Sequence, residues 1–308
     1  MMLPSIACLC LACLVIVWAF GGDHAYVGSP LAVVGALAAG LGILALLGRA
    51  TFANDHVGRR WFLMGSMLVL TIACSIAILW FAPTAEQNRD VYGFWGGADK
   101  ERYERYGWLV AREGIGRLAQ LPLNDVGPVI LTAVAYSLFG RTVVAVAVFQ
   151  VLFHAWVSIG LYGLVRSFGS PTDARRAMLL WMLLPLPVFH ASFPGEDVPI
   201  TALLLSGTNA MLRLQDPKAH GRIGTILWVI LAGVAMMVFR SRMALVYVAS
   251  ILGVGVLRAS SAKRIRRVIT AAILAMVTAG AMTVVFGPEF WTLRALSIGD
   301  LARVIEQS

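Results

Sequence analysis

Long apolar runs alternate with short polar segments along most of the chain. Each run approaches the roughly 20 apolar residues that a helix needs to cross a hydrocarbon core. The pattern therefore predicts an all-α polytopic membrane protein with about nine transmembrane helices. These helices are predicted at residues 3–20, 31–48, 61–81, 142–166, 177–193, 198–214, 223–239, 243–257 and 268–286. Pro185 and Pro187 are expected to break the fifth of them near one end.

The same pattern divides the chain into four parts. Residues 1–81 carry three N-terminal transmembrane helices, and residues 82–141 form a large loop that contains interfacial helices. Residues 142–286 make a six-helix transmembrane bundle, and residues 287–308 form a C-terminal tail on the same side of the membrane as the loop. The chain is thus expected to be one membrane domain without a large soluble one.

The apolar run from Pro128 to Gly140 allows two interpretations. At 13 residues, it would make a helix of about 20 Å, which is short of a hydrocarbon core of about 30 Å. Only Gly140 and Arg141 separate it from the next predicted span, which is a very short link for two antiparallel membrane helices. We therefore predict an interfacial helix with Pro128 in its first turn.

The distribution of basic residues tests this placement, because cytoplasmic loops are enriched in Lys and Arg. With the N-terminus inside and the run interfacial, 14 of the 25 basic residues face the cytoplasm, in the loops near residues 49–60, 166–176, 213–222 and 258–267. If the run spans instead, 11 of these 14 move outside. A third topology, with the N-terminus outside and the run spanning, keeps those 11 inside and adds six from the 83–127 loop. By the number of basic residues on the cytoplasmic side, this topology rivals the first one. The short link at Gly140 favours the first topology.

Composition supports the membrane class. Hydrophobic residues make up 59% of the chain and charged residues 13%, whereas soluble domains carry about 25% charged residues. The net charge of +9 is explained by the basic loops, and no basic block suggests a nucleic-acid groove. All four cysteines lie inside apolar runs, where they are expected to pack rather than bind a metal; they are Cys8, Cys10, Cys13 and Cys74.

Three charged segments meet on the outer face in the first topology. They are the loop with Asp99, the turn with Glu196 and Asp197, and the turn with Arg240 and Arg242. Two acids and two arginines would suit group transfer from a phosphate-bearing lipid: a carboxylate can deprotonate an attacking hydroxyl, and arginine stabilises a departing phosphate. The adjacent acids could also hold a divalent cation.

Each of these residues also has a purely structural interpretation. Asp99 could be a solvated loop acid, and Glu196-Asp197 could begin a helix, where acids are favoured. Arg240 and Arg242 could reach toward lipid headgroups from a helix end. The histidines His154 and His190 are expected to pack or to form interhelical hydrogen bonds.

Several short motifs follow one another in a fixed order between residues 96 and 257. They are Asp99 four residues before Tyr103, Gly127-Pro128 and Leu138-Phe139-Gly140 in the short apolar run, Leu161-Tyr162-Gly163-Leu164-Val165-Arg166 at the end of a span, Pro185 inside a helix, Asp197 at a helix start, and Arg240 or Arg242 after a span. This order resembles the GT-C superfamily of glycosyltransferases, in particular its protein O-mannosyltransferase and lipid A aminoarabinose transferase-like members. The chain looks like a short or divergent member, because about nine spans are predicted in all and three of them precede the acidic loop.

The resemblance implies both an activity and a location. The protein would be an inverting glycosyltransferase that takes a sugar from a polyprenyl phosphate on the outer face of a bacterial inner membrane. Asp99 would be the catalytic base and Asp197 a second functional acid, while Tyr103, Glu196, Arg240 and Arg242 would bind substrate. The alternative is a non-catalytic membrane subunit or a transporter of lipid-linked sugars. The near absence of charges within the predicted spans argues against ion-coupled transport.

Overall fold

The computed structural model is all-helical over the part of the chain that it describes. That part comprises residues 12–15, 17, 19, 27–82, 97–120, 126–215, 221–240, 243–257, 269, 271–278 and 280. The chain divides into two compact units, Met1–Ala202 and Leu203–Ser308.

The first unit contains seven of the described helices and the start of an eighth. These are α1 (Pro30–Thr51), α2 (His56–Ile76), α3 (Gly97–Glu113), α4 (Gly127–Phe139), α5 (Val143–Arg166), α6 (Pro171–Leu183), α7 (Pro185–His190) and α8 (Asp197–Leu214), which continues into the second unit. Helix α2 ends in a π-helical turn, Ala77–Phe81, and a 3-10 segment, Ile115–Gln120, follows α3.

Four of the described helices are long and apolar enough to cross a membrane. They are Pro30–Thr51, His56–Phe81, Val143–Arg166 and Arg222–Phe239, and each coincides with a predicted run. This confirms the prediction of an all-α membrane protein. Helices α8 and Met243–Leu257 also coincide with predicted runs, whereas the first and last predicted spans lie only partly within the described residues.

The predicted run at 177–193 is two helices, as its prolines indicated. Helix α6 ends at Leu183, and Leu184 adopts an extended conformation with ψ of 126°. Proline disfavours a helical conformation at the preceding residue, so Pro185 stops α6 and begins the short helix α7. The break directs the chain into the turn that precedes α8.

Two polar contacts identify the two ends of the first unit. The Thr142 hydroxyl caps α5 and donates to the carbonyl of Val27, just before α1; we name this the Thr142 end. At the other end, Arg175 near the start of α6 pairs with Asp55, which caps α2; we name this the Asp55 end. Helices α1, α2, α5 and the α6–α7 pair therefore alternate in direction between these ends.

Helix α5 is the centre of the first unit. Its first turns are almost fully buried, with Val144, Ala145 and Ala147 at 0% exposure, and it packs against α1, α2 and α6. The side chain of Val148 fills the space where a Cβ at Gly40 of α1 would lie. Small residues thus let these apolar helices approach closely, as in other membrane bundles.

Helices α3 and α4 form an antiparallel pair at the Thr142 end. Tyr103 and Val110 of α3 share a buried cluster with Val129 and Ala133 of α4. A Cβ at Gly107 would overlap Thr132, so glycine is required for this close packing. The short apolar run is a helix, Gly127–Phe139, within one residue of the predicted limits at each end, and it lies along a highly charged partner. Its position at a membrane surface stays a prediction.

In the second unit, a tyrosine joins the helices α9 (Arg222–Phe239) and α10 (Met243–Leu257). The Tyr247 hydroxyl donates to the carbonyl of Val229 at 2.7 Å. A Cβ at Gly207 of α8 would overlap the same phenol, so the ring packs directly on the backbone of α8. Gln215 also donates to the carbonyl of Val254 at 3.0 Å.

Candidate functional site

A hydrogen bond between Tyr103 and Glu196 joins two of the predicted substrate-binding residues. The Tyr103 side chain on α3 is buried, at 6% exposure. Its hydroxyl donates to Glu196 Oε2 at 2.8 Å, although the two residues lie 93 positions apart. The contact places the first turns of α3 beside the start of α8, at the Thr142 end of the bundle.

The segment before α8 is held by a buried amide. The Glu196 carbonyl accepts from the amide of Ile200 at 2.9 Å, so Glu196 and Asp197 do begin a helix. The carboxamide of Gln150, on α5 and 1% exposed, donates to the carbonyl of Gly195 at 2.8 Å. This bond fixes the turn from which both acids project.

Asp197 has a histidine partner across the turn. Its Oδ2 lies 3.0 Å from His190 Nδ1, at the end of α7, and half of the Asp197 side chain stays exposed. The contact is a salt bridge when His190 is protonated. His190 thus makes a contact between helices, as one of its two sequence interpretations anticipated.

Lys100 lies between the acids and an aromatic cluster. Its ammonium is 4.7 Å from the centre of the Phe193 ring and 5.7 Å from that of Phe189. Burial lowers the pKa of Lys100, and the charges of Asp197 and Glu196 oppose that shift. Sequence reasoning did not select Lys100. The signal was its position three residues before Tyr103, which puts both on one side of a helix.

The aromatic cluster beside Lys100 is built by α7, the turn that follows it and the end of α2. Phe189 and Phe193 pack edge to face at 4.7 Å. The π-helical turn at the end of α2 adds Trp80, 5.6 Å from Phe189, and Phe81, 5.5 Å from Phe193. Such turns occur often at functional sites. Here the turn presents two consecutive aromatic residues, one to α7 and one to the segment that follows it.

Asp99, the predicted base, lies in the first turn of α3. Its side chain is 61% exposed and forms an ion pair with Arg102 on the next turn. Four residues separate it from Tyr103, so the two share a helix face. The structure thus places Asp99 one turn from the Tyr103–Glu196 contact, and its role as a base stays a prediction.

The two predicted phosphate-binding arginines lie elsewhere in the chain. Arg240 follows α9 directly, is exposed and belongs to the second unit. Arg242 lies outside the described residues. Their role at a lipid phosphate therefore stays a prediction.

A buried carboxylate, Glu104, was missed by sequence reasoning. Its side chain is 3% exposed and accepts two hydrogen bonds from Arg141, at 2.9 and 3.0 Å. The Tyr136 hydroxyl donates a third, at 3.0 Å. A signal was present, because Glu104 lies four residues before Trp108 and so shares a helix face with an aromatic residue that packs inward.

No group of three or more metal-ligating side chains occurs among the residues that the structure describes. Glu196 and Asp197 are adjacent acids whose oxygens suit a hard cation such as Mg²⁺.

The fold and this site define a polytopic helical membrane protein with a charged, aromatic-lined site at one end of its bundle. The sequence pattern of the dolichyl-phosphate-mannose-protein mannosyltransferase family matches residues 126–288, which is more than half of the chain. The chain therefore belongs to this family, and with it to the GT-C superfamily that its motifs resemble. No curated protein and no solved structure matches the chain.

Family membership supports a glycosyltransferase activity, and the matched region includes only some of the site residues. It supports a membrane glycosyltransferase that uses a polyprenyl-phosphate sugar donor. The matched region contains Glu196, Asp197 and Arg240, whereas Asp99 and Tyr103 precede it. The Tyr103–Glu196 hydrogen bond and the contacts of Lys100 with Phe189 and Phe193 join the two parts of the site.

Proposed function

We propose that this protein transfers a sugar from a polyprenyl phosphate to an acceptor hydroxyl at the Thr142 end, with inversion at the anomeric carbon. The observation that carries the proposal is the Tyr103–Glu196 hydrogen bond. It brings together the first turns of α3 and α8, which begin with the two predicted acids, Asp99 and Asp197. Because both acids are at least half exposed, a substrate can reach them.

Asp99 would act as the general base. Its carboxylate would take the proton of the acceptor hydroxyl as that oxygen bonds to the anomeric carbon. The bond from the anomeric carbon to the phosphate oxygen breaks in the same step, and its electron pair leaves with the polyprenyl phosphate. A single displacement of this kind inverts the anomeric centre.

The acids at α8 would orient the reacting sugar. Carboxylates accept hydrogen bonds from sugar hydroxyls, and Glu196 is held in place by Tyr103 while Asp197 is held by His190. The same two acids could bind a divalent cation that helps to neutralise the donor phosphate. Either role requires the rigid turn that Gln150 secures.

Arg240 and Arg242 would stabilise the departing lipid phosphate. Arginine stays charged and forms paired hydrogen bonds to phosphate oxygens. Both residues follow a helix that is long and apolar enough to span the membrane. They would therefore meet a lipid headgroup at the membrane surface.

The site would face outward from a bacterial inner membrane. The predicted cytoplasmic loops near residues 49–60 and 166–176 lie together at the Asp55 end, since Arg175 pairs with Asp55. The acids lie at the Thr142 end. If basic loops mark the cytoplasmic side, the site is on the outer side, where the donor would enter laterally from the outer leaflet.

The experiment is transfer by the purified chain reconstituted in lipid nanodiscs with polyprenyl-phosphate sugars and candidate acceptors. We expect release of the free polyprenyl phosphate and a product whose anomeric configuration, measured by NMR, is opposite to that of the donor. A product with retained configuration would overturn the single displacement. Donor that stays intact but crosses the bilayer of proteoliposomes would instead support a transporter.

A further inference from the structure

Glu104 is a buried carboxylate on the most charged helix of the first unit. Three donors from two residues surround it: Nε and Nη2 of Arg141 and the hydroxyl of Tyr136. The Arg141 guanidinium also lies over the ring of Trp108, at 5.6 Å, and Trp108 packs edge to face on Tyr136. We call Glu104, Arg141 and Tyr136 the α3 clamp.

The α3 clamp and the Tyr103–Glu196 bond hold two adjacent residues of α3, Glu104 and Tyr103, against different segments of the first unit. Tyr103 contacts the start of α8, whereas Glu104 contacts the end of α4 and the short link into α5. Helix α3 is therefore held against two other parts of the bundle within a single turn. A buried ion pair of this kind costs much of its own attraction in desolvation, so stability alone is a weak reason for its presence.

We propose that Glu104, Arg141 and Tyr136 are positioning residues that hold α3 so that Asp99 and Tyr103 meet the substrate correctly. The inference rests on the proposed function, because it assigns these residues to the same site. Glu104 is too buried to touch a substrate and acts through the helix. Asp99 lies five residues away, about 7.5 Å along the helix axis. A displacement of about 1 Å at a reacting group can cost about 100-fold in rate.

The chain contains a matched control for this proposal. At the Asp55 end, Asp55 accepts two hydrogen bonds from Arg175, at 2.8 and 3.0 Å, and one from the Tyr162 hydroxyl, at 2.9 Å. The side-chain donors are of the same kinds as those of Glu104, and Asp55 also accepts from the amide of Gly58 at 2.9 Å. The location differs, since this cluster lies at the end of the bundle away from the acids. Breaking it measures how the loss of such a cluster, away from the acids, affects stability and kcat.

The experiment compares Glu104→Gln with Asp55→Asn in the full-length protein in nanodiscs. Two quantities are measured for each: kcat and donor KM of sugar transfer, and amide hydrogen exchange by mass spectrometry. For Glu104→Gln we expect kcat to fall about 100-fold while donor KM changes less than about 3-fold. Exchange should accelerate in residues 97–113 and stay unchanged in α5. Glu104→Asp keeps the charge and should recover part of the lost kcat.

Asp55→Asn should destabilise the protein to a similar degree and leave kcat within about 3-fold of wild type. Equal losses of kcat in both variants would overturn the proposal, since they would reflect general destabilisation. Faster exchange in α3 with wild-type kcat would overturn it too, because the clamp would then be structural. If the wild type itself transfers no sugar, both the proposed function and the positioning role are wrong. If the wild type and the Glu104→Gln variant are both fully active, only the positioning role is wrong.

Discussion

The hydroxyl of Tyr103 lies 2.8 Å from Glu196 Oε2 and joins α3 to the start of α8. Tyr103→Phe removes this hydroxyl and keeps the ring. A part-buried carboxylate then loses a donor, which typically costs about 1–3 kcal/mol of stability. We expect the variant to unfold at a lower temperature and its kcat/KM for sugar transfer to fall about 10-fold, corresponding to about 1.4 kcal/mol.

Tyr106→Phe is the control for this change, because it removes a hydroxyl from the same helix at a residue that does not contact Glu196. It should leave kcat/KM near the wild-type value. Thermal unfolding and initial rates measured on both variants decide the matter. If Tyr103→Phe matches the wild type in both, the Tyr103–Glu196 bond does not organise the site.

The sequence predicts several residues of the site but not which of them meet in the folded protein. Three acids stand out because charges beside apolar runs are costly and must have partners or exposure; they are Asp99, Glu196 and Asp197. Tyr103 was selected by its spacing from Asp99, through the resemblance to the GT-C superfamily. The structure shows that Tyr103 and Glu196 are partners of each other. Spacing along a helix predicts which residues share a face, but not which distant segment that face will meet.

The residues that were missed show the same limit. Glu104 and Lys100 lie in the same charged window as Asp99, and their helical spacing to Trp108 and Tyr103 was a weak signal of burial. Their partners, Arg141 for Glu104 and the phenylalanines after α7 for Lys100, follow from tertiary packing. By contrast, the helices at residues 31–48, 61–81 and 142–166 were predictable, because their apolar length is set by the bilayer.

The sidedness of α3 can be tested by cysteine labelling in intact cells. In a chain whose four native cysteines are replaced, Ala98→Cys at the start of α3 should react with a membrane-impermeant maleimide before lysis. The control is Asn54→Cys, an exposed position at the Asp55 end, which should react only after lysis. The reverse pattern would put Asp99 in the cytoplasm and remove the outward-facing site.

The Asp55 cluster predicts a specific pH dependence of stability. Hydrogen bonding from Arg175 lowers the pKa of Asp55 from 3.8 to about 2. A carboxyl whose pKa is lowered on folding stabilises the fold above its unfolded pKa, and loses that effect as pH falls toward the folded value. The difference between the two pKa values corresponds to about 2 kcal/mol.

Asp55→Asn should therefore be less stable than wild type by about 2 kcal/mol at pH 7, and this gap should shrink between pH 4 and pH 2. Unfolding of the detergent-solubilised proteins across that range measures it. Glu113→Gln, which removes an exposed acid paired with Arg112 and Arg117, should show a much smaller gap, because surface ion pairs contribute little. A stability difference between Asp55→Asn and wild type that does not change with pH would contradict the lowered pKa of Asp55 in the folded protein.

The central claim is that Asp99 is the base for sugar transfer, and Asp99→Asn tests it most directly. Asparagine keeps the shape of the side chain and cannot accept the proton from an acceptor hydroxyl. A positioned general base contributes about 100- to 10,000-fold to rate. The matched control is again Glu113→Gln, at the other end of the same helix.

The measurement is the initial rate of polyprenyl-phosphate release by the purified proteins in nanodiscs with a polyprenyl-phosphate sugar and an acceptor. We predict a fall of at least about 100-fold for Asp99→Asn, and a rate within about twofold of wild type for Glu113→Gln. Transfer by Asp99→Asn at the wild-type rate would contradict the account.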